Sequence, residues 1–326
     1  MKVDDLILIG HFPHCGLLKK YLASKNGSST KYVAVKYIKD KKDKFKKFFY
    51  DNEIYALNDT HHPNIIKLID IKETSDDNYL VIEYCNGGNL EDLLKKYYEE
   101  NKKPLTEEIV QYIMRQVINA VKYLHQKKIM HRNLKFTNIL INYENEEDKK
   151  NNNIMKGKIK IADFALSAHL EKGNFESRSC GTPNYTAPEI FLKTKSERKY
   201  NEKIDIWSLG IICYKLLIGK FLFEAVSLRI LKEKLNQGDY FVPITLSKEA
   251  ISFLNCMLQN DPNKRYSCDQ LSKHNFLTKD ISEFHKVNLF ELKDIEIIDY
   301  DKIKINIKNN DSIFEIFGDG IEDNIK

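Results

Sequence analysis

Two side chains with hard oxygen donors, Asp163 and Asn138, lie near the middle of the chain. The run 159–162 is mostly apolar and leads directly into Asp163, which is the pattern of a short strand that delivers an acidic side chain. Carboxylate and amide oxygens of Asp and Asn are ligands that suit Mg²⁺. The two residues therefore predict a magnesium site.

The segment 131–138 carries further polar side chains, among them His131, Arg132, Asn133 and Lys135. An Asn amide can accept a hydrogen bond through its carbonyl oxygen, but it has no carboxylate that takes up a proton at neutral pH. Asn133 can therefore accept a hydrogen bond, but it cannot serve as a general base.

These segments belong to a longer series of motifs that resembles the eukaryotic protein kinases. Six motifs occur in the same order with similar spacing, and the resemblance extends from Leu6 to about Leu277. They are residues 33–36 with Glu53, then 131–138, 163–165, 181–183, 187–189 and 205–210. Lys135 and Thr182 are the choices typical of Ser/Thr kinases.

The resemblance implies an α+β fold with two lobes. Residues 1–85 are expected to form a small β-rich N-lobe that ends in the hinge, and residues 86–277 a larger α-helical C-lobe. The length of 326 residues agrees, because single cores stop growing at about 250–300 residues. A helix before segment 131–138 is predicted by apolar residues at three- and four-residue spacing: Ile109, Ile113, Val117, Val121 and Leu124.

The resemblance also implies an ATP site. Lys36 would hold the α and β phosphates, and Glu53 would orient it through an ion pair. Asp163 and Asn138 would bind Mg²⁺, and Lys135 would act beside the base position. The other residues expected to bind the cofactor are Gly10 in the phosphate-covering loop and Glu83, Cys85 and Asn89 at the hinge.

Several residues are expected to support this site. Asp205 would hold the backbone of segment 131–138, and Arg265 would pair with Glu189, as in kinases. His131 and Phe164 resemble members of the stacked apolar column that links the lobes. His131 is therefore expected to pack and not to catalyse.

Three departures from the kinase pattern bear on the chemistry. Asn133 stands where the catalytic loop has Asp. The loop 10–16 keeps its first glycine, but Phe12 and Cys15 replace the next two, which is expected to weaken nucleotide binding. Ala165 replaces a glycine and restricts the backbone wherever φ must be positive.

The departures leave two functional hypotheses. The first is an ATP-binding Ser/Thr kinase with weak activity, because phosphoryl transfer relies on positioning and charge stabilisation more than on full proton removal. The second is a non-catalytic pseudokinase scaffold that is regulated by nucleotide and partner binding. The expected partner is accordingly a protein substrate or a regulatory protein. Residues 83–90 resemble the hinge of the Unc-51-like, autophagy-initiating kinases.

Composition predicts a cytoplasmic protein without a nucleic-acid site. The net charge of +5 is spread over 52 basic and 47 acidic residues, and the basic cluster at 41–47 is expected to be a solvated helix face. No apolar run approaches the roughly 18 residues of a membrane span, which predicts no integral membrane segment. The six cysteines lack metal-binding spacing and are expected to be reduced thiols.

Two segments fall outside the kinase pattern. Residues 142–157 are almost entirely polar and predict a solvated, mobile insertion. In the C-terminal extension, residues 278–326, an alternating run at 301–308 is followed by turn residues and a β-prone run at 312–317. This pattern suggests a β-hairpin, with disorder as the alternative.

Overall fold

The structure is a computed structural model of the chain. It describes residues 2–12, 19–25, 32–40, 42–170, 180–194, 196–225, 227–238, 240, 242 and 245–284. The predicted hairpin at 301–317 and Cys15 of the phosphate-covering loop lie outside these residues.

Among the described residues, the N-terminal part forms one antiparallel sheet of six strands in the order β1-β2-β3-β4-β6-β5. The strands are Lys2–Val3 (β1), Leu6–His11 (β2), Lys19–Lys25 (β3), Tyr32–Ile38 (β4), Leu68–Glu73 (β5) and Asn78–Glu83 (β6). β4 is rich in β-branched and aromatic residues, which favour strands. It is paired on both sides, with Lys36 opposite Lys20 of β3 and Leu80 of β6.

One long helix, α1 (Lys44–Asn58), accompanies this sheet. It begins after Asp43, whose side chain accepts a hydrogen bond from the backbone N of Lys46 at 3.1 Å. Its buried residues are Phe49, Tyr50, Glu53, Ala56 and Leu57. The helix thus buries a carboxylate, Glu53, along with its apolar face.

The rest of the described chain is mainly helical, which confirms the bilobal α+β fold. The helices are Leu90–Asn101 (α2), Glu107–Gln126 (α3), Glu146–Lys150 (α4), Pro188–Phe191 (α5), Lys203–Ile218 (α6), Leu228–Gln237 (α7), Lys248–Met257 (α8), Cys268–Leu271 (α9) and Asn275–Thr278 (α10). α3 is the helix that the apolar spacing predicts, and α6 is buried on nearly all sides. None of the helices in the described part of the chain is long and apolar enough to cross a membrane.

Two small antiparallel sheets frame the segment 131–138. β7 (Ile129–Met130) pairs with β10 (Ala168–His169), and β8 (Ile139–Asn142) pairs with β9 (Lys158–Ile161). The segment runs between β7 and β8, and its last residues form a 3-10 turn. Since Asp163 follows β9 by two residues, the pairing of β8 with β9 brings it next to this segment.

The polar segment 142–157, predicted to be a solvated, mobile insertion, contains some regular structure. α4 begins after Asn145, whose side chain accepts a hydrogen bond from the backbone N of Asp148 at 2.8 Å. A 3-10 turn follows at Ile154–Lys156. Tyr143 and Ile154 are each only 5% exposed. These two residues pack in the hydrophobic core of the C-lobe, although the composition of the segment is polar.

Candidate active site

Lys36 lies at the centre of a buried ion-pair cluster between the lobes. Its Nζ is 2.6 and 2.5 Å from the two carboxylate oxygens of Glu53 and 2.6 Å from Oδ1 of Asp163. Lys36 is 2% exposed and Glu53 is fully buried. The ion pair between Lys36 and Glu53 is therefore present, and the cluster ties β4, α1 and the residue after β9 together.

The charges in this cluster stabilise one another. Burial alone would lower the pKa of Lys36, but the carboxylates of Asp163 and Glu53 outweigh it and hold the pKa above its ordinary value. Burial alone would raise the pKa of Asp163. The positive charges of Lys36, Lys20 and Lys135 reverse that effect and hold this pKa well below its ordinary value. Asp163 is therefore a carboxylate at neutral pH.

The backbone after Asp163 is fixed by α1. The backbone N of Phe164 donates to Oε1 of Glu53 at 3.2 Å. Nδ2 of Asn52 donates to the backbone oxygens of Ala165 and Ser167, each at 2.8 Å. Asp163 has a positive φ of 72° but Ala165 does not, so the alanine carries no left-handed strain in this conformation.

Asp205 holds the backbone of segment 131–138, as expected. Its two carboxylate oxygens accept hydrogen bonds from the backbone N of His131 and of Arg132, both at 2.9 Å. Arg132 has a φ of 63°. This left-handed backbone conformation is unfavourable for a non-glycine residue. The two hydrogen bonds to the buried carboxylate of Asp205 stabilise it. Arg265 pairs with both oxygens of Glu189 at 2.6 and 2.7 Å, again as expected.

His125 also contacts Asp205, and its titration is expected to make the stability of the fold depend on pH. Its Nε2 lies 2.9 Å from Oδ2 of Asp205. Burial alone would lower the pKa of His125, but Cys268 and Asp205 outweigh it and raise the pKa to about 10. The protonated ring therefore stabilises the folded state fully below the unfolded pKa of about 6.5, and this stabilisation is lost as pH rises through about 10.

We predict that His125→Gln removes part of the pH dependence of folding. Between pH 7 and pH 10 the free energy of unfolding of the unmodified chain should fall by on the order of 2 kcal/mol more than that of the variant. Urea unfolding followed by circular dichroism at several pH values measures both slopes. Equal slopes would show that His125 is not a charged partner of Asp205.

His131 is a packing residue. The backbone N of Asn133 donates to its Nδ1 at 3.3 Å, so the ring proton is on Nε2, which donates to the backbone oxygen of Ala162 at 3.1 Å. The ring makes an edge contact with Phe164 at 4.8 Å between centroids. Burial lowers the pKa of His131, which keeps the ring neutral. The expectation that His131 packs and does not catalyse is consistent with each of these contacts.

Asn133 bridges two functional segments through both ends of its amide. Its Nδ2 donates to Oδ2 of Asp163 at 3.3 Å, and its Oδ1 accepts from Oγ1 of Thr182 at 3.3 Å. Its backbone oxygen accepts from Nδ2 of Asn138 at 2.8 Å. The amide of Asn138 is thereby oriented, and its Oδ1 remains as the atom that could bind a metal ion.

The predicted metal ligands therefore lie together. Asp163 Oδ2 and Asn138 Oδ1 are both oxygen donors, and Asn133 is hydrogen-bonded to both residues. Mg²⁺ in nucleotide sites typically takes one or two protein oxygens and completes its octahedron with phosphates and water. The donor set fits this ion. Lys135, two positions after Asn133, is half-buried and close enough for its charge to act on Asp163.

The hinge residues lie apart from this cluster. The side chain of Glu83 pairs with Lys160 at 2.8 Å, and its backbone N donates to the backbone oxygen of Lys67 at 2.9 Å. Cys85 is buried, and burial raises the pKa of its thiol to about 12. The side-chain oxygen of Asn89 caps α2. A methyl group added to Gly10 would meet no heavy atom of the described residues within 4 Å, so packing within the protein does not explain the glycine.

Sequence reasoning missed two residues of this site. Asn52 holds the segment after Asp163, and Lys20 lies directly opposite Lys36 on the neighbouring strand. Polar helix positions such as 52 give no signal of a long-range bond. The position of Lys20 depends on the register between β3 and β4, which the intervening segment does not reveal.

The chain also matches a known protein family. The family model described as the protein kinase domain matches residues 19–277. The match covers most of the chain, from β3 to the end of the C-lobe, and includes every residue of the cluster around Lys36.

Proposed function

This chain belongs to the protein kinase family, and we propose that it binds Mg-ATP in the cleft between its lobes and transfers phosphate slowly to Ser or Thr residues of proteins. One observation carries the proposal. The cluster of Lys36, Glu53 and Asp163 is complete, while the neighbouring base position holds the amide of Asn133.

The complete cluster supports ATP binding. A buried lysine that is fixed by two carboxylates is a preorganised cation for the phosphates of a nucleotide. The oxygens of Asp163 and Asn138 would hold Mg²⁺, which neutralises phosphate charge when it is bound. Adenine would meet the backbone near Glu83 and Cys85, and the buried side chain of Ile82 would limit access to the pocket behind it.

The amide at position 133 supports slow transfer. In the family, the carboxylate at this position accepts the proton of the attacking hydroxyl group. Asn133 can accept a hydrogen bond from that hydroxyl, but the O–H bond must then break without a side-chain base. Because the transition state is loose, positioning and charge stabilisation still lower the barrier, so some transfer is retained. The Ser/Thr preference is supported by Lys135 and by the bond of Thr182 to position 133.

A second candidate function is a pseudokinase scaffold that binds nucleotide and a regulatory protein. The hydrogen bonds of Asn133 to Asp163 and to Thr182 favour the scaffold function. They connect segment 131–138 to the segment at 181–183 in the absence of a substrate. The hinge resemblance to Unc-51-like kinases is compatible with both candidates. The two functions share the ATP site and differ in turnover.

We predict that Mg-ATP raises the melting temperature of the protein in a magnesium-dependent way. At a concentration of about 100 times Kd, a ligand that binds only the folded state adds about 2.7 kcal/mol of stability, which corresponds to roughly 5 °C for a chain of this size. Differential scanning fluorimetry with ATP, with and without Mg²⁺, measures the shift.

The matched variants for this measurement are Asp163→Asn and Asp269→Asn. The first removes a proposed metal ligand, whereas the second changes an exposed aspartate that pairs with Lys122 and Lys273. Only Asp163→Asn should reduce the magnesium-dependent part of the shift. No shift at millimolar Mg-ATP, or a shift that Asp163→Asn leaves intact, would contradict the proposed site.

A further inference from the structure

Lys20 lies beside Lys36 in the roof of the cleft. β3 and β4 are antiparallel, and their register pairs Lys20 with Lys36 and Leu22 with Ala34. Directly paired residues of neighbouring strands project from the same face of a sheet, with Cβ atoms roughly 5 Å apart. Because the Lys36 side chain reaches Asp163 in the cleft, the Lys20 side chain leaves the sheet on the cleft side too.

The neighbours of Lys20 on β3 confirm this orientation. Tyr21 projects from the opposite face, where its ring contacts Tyr37 at 6.1 Å between centroids. Lys19 is paired with Tyr37 and is exposed, whereas Lys20 is half-buried. Two consecutive lysines of one strand thus have different environments, and only Lys20 is on the cleft side.

The pairing of Lys20 with Lys36 places two like charges opposite each other, an arrangement that is destabilising in itself. Lys36 is compensated by Glu53 and Asp163. The charge of Lys20 acts on the same Asp163, and Lys135 acts on it from the other lobe. Among the described residues, the charges of three lysines, Lys36, Lys20 and Lys135, therefore act on Asp163.

We infer that Lys20 is a second lysine ligand for the phosphates of the bound nucleotide, on the opposite strand from Lys36. The inference rests on the proposed ATP site. A polyphosphate that enters between the roof and Asp163 passes the face shared by both lysines, and its negative charges are opposite in sign to both ammonium groups. Lys20 thus favours nucleotides with a phosphate chain over nucleosides.

The test compares Lys20→Met with Lys19→Met, which changes the same residue type on the opposite face of the same strand. Isothermal titration calorimetry with Mg-ATP and with adenosine gives Kd for each protein, and melting temperatures without ligand report on folding. We expect Lys20→Met to raise the Kd for Mg-ATP at least tenfold and to leave the Kd for adenosine within about twofold. Lys19→Met should change neither value.

Two results would overturn the inference while the proposed function stands. In the first, the unmodified protein binds Mg-ATP, and Lys20→Met binds it equally well or more tightly. This result would show that the ammonium group of Lys20 does not contribute to the affinity for Mg-ATP. In the second, Lys20→Met raises the Kd for Mg-ATP and the Kd for adenosine by the same factor. This result would show that Lys20 supports the structure of the sheet above the cleft and does not contact phosphate. An unmodified protein that binds adenosine and not Mg-ATP would instead contradict the proposed function itself.

Discussion

Replacement of Lys36 by Met is expected to lower the free energy of unfolding by roughly 3–5 kcal/mol and to abolish ATP binding. The loss of stability follows from Glu53, a fully buried carboxylate that would lose its partner at 2.5 Å. The loss of binding follows from the position of Lys36 between both lobes. Urea unfolding and calorimetric titration with Mg-ATP measure the two effects separately.

The double variant Lys36→Met/Glu53→Gln is the control that separates stability from binding. Gln removes the unpaired charge, and its side-chain oxygen can still accept the hydrogen bond from the backbone N of Phe164. We expect the double variant to recover most of the lost stability and none of the ATP binding. A single variant that loses less than about 1 kcal/mol would contradict the role of the buried ion pair.

The second large effect is expected at Asn133, where substitution by Asp should raise the rate of phosphoryl transfer. A positioned general base typically contributes 10²–10⁴ in rate. We expect a smaller gain of about 10–100-fold, because the substituted glycines of the loop at 10–16 are expected to weaken the positioning of ATP. Thr182 can continue to donate its hydroxyl proton to position 133. The measurement is the turnover rate at saturating Mg-ATP with a generic Ser/Thr protein substrate.

The same substitution, Asn133→Asp, should lower the stability of the protein in the absence of metal. The new carboxylate would lie about where Nδ2 of Asn133 now donates to Asp163, so a hydrogen bond is replaced by repulsion between like charges. We expect a lower melting temperature without Mg²⁺ that recovers with Mg-ATP. Asn133→Ala, which also removes the hydrogen bond but adds no base, should not gain turnover. Unchanged turnover in Asn133→Asp would identify the positioning of ATP as the larger defect.

The sequence was sufficient where a local pattern determines the structure. Helix α3 follows from apolar spacing. The residues around the cleft were predicted from motifs in a fixed order, and the structure brings Lys36, Glu53 and Asp163 into contact.

The sequence was insufficient where a contact depends on the register or direction of a side chain. Nothing in the chain near Asn133 indicates that its amide bonds to Asp163 and Thr182. Lys20 looks like any surface lysine until the strand pairing is known. The segment 142–157 is polar, and its composition does not indicate that Tyr143 and Ile154 lie in the core. Each of these results depends on tertiary contacts that composition does not encode.

The central claim is that the cleft binds Mg-ATP while the missing base at position 133 limits transfer. A single-turnover experiment with labelled ATP, excess protein and a Ser/Thr protein substrate tests it most directly, because ATP retention and phosphate transfer are read in the same sample. Active kinases turn over at about 1–100 s⁻¹. We predict that the protein retains ATP, transfers phosphate below about 0.1 s⁻¹ and becomes faster in Asn133→Asp. Transfer by the unmodified protein at the rate of an active kinase, or no retention of ATP, would contradict the claim.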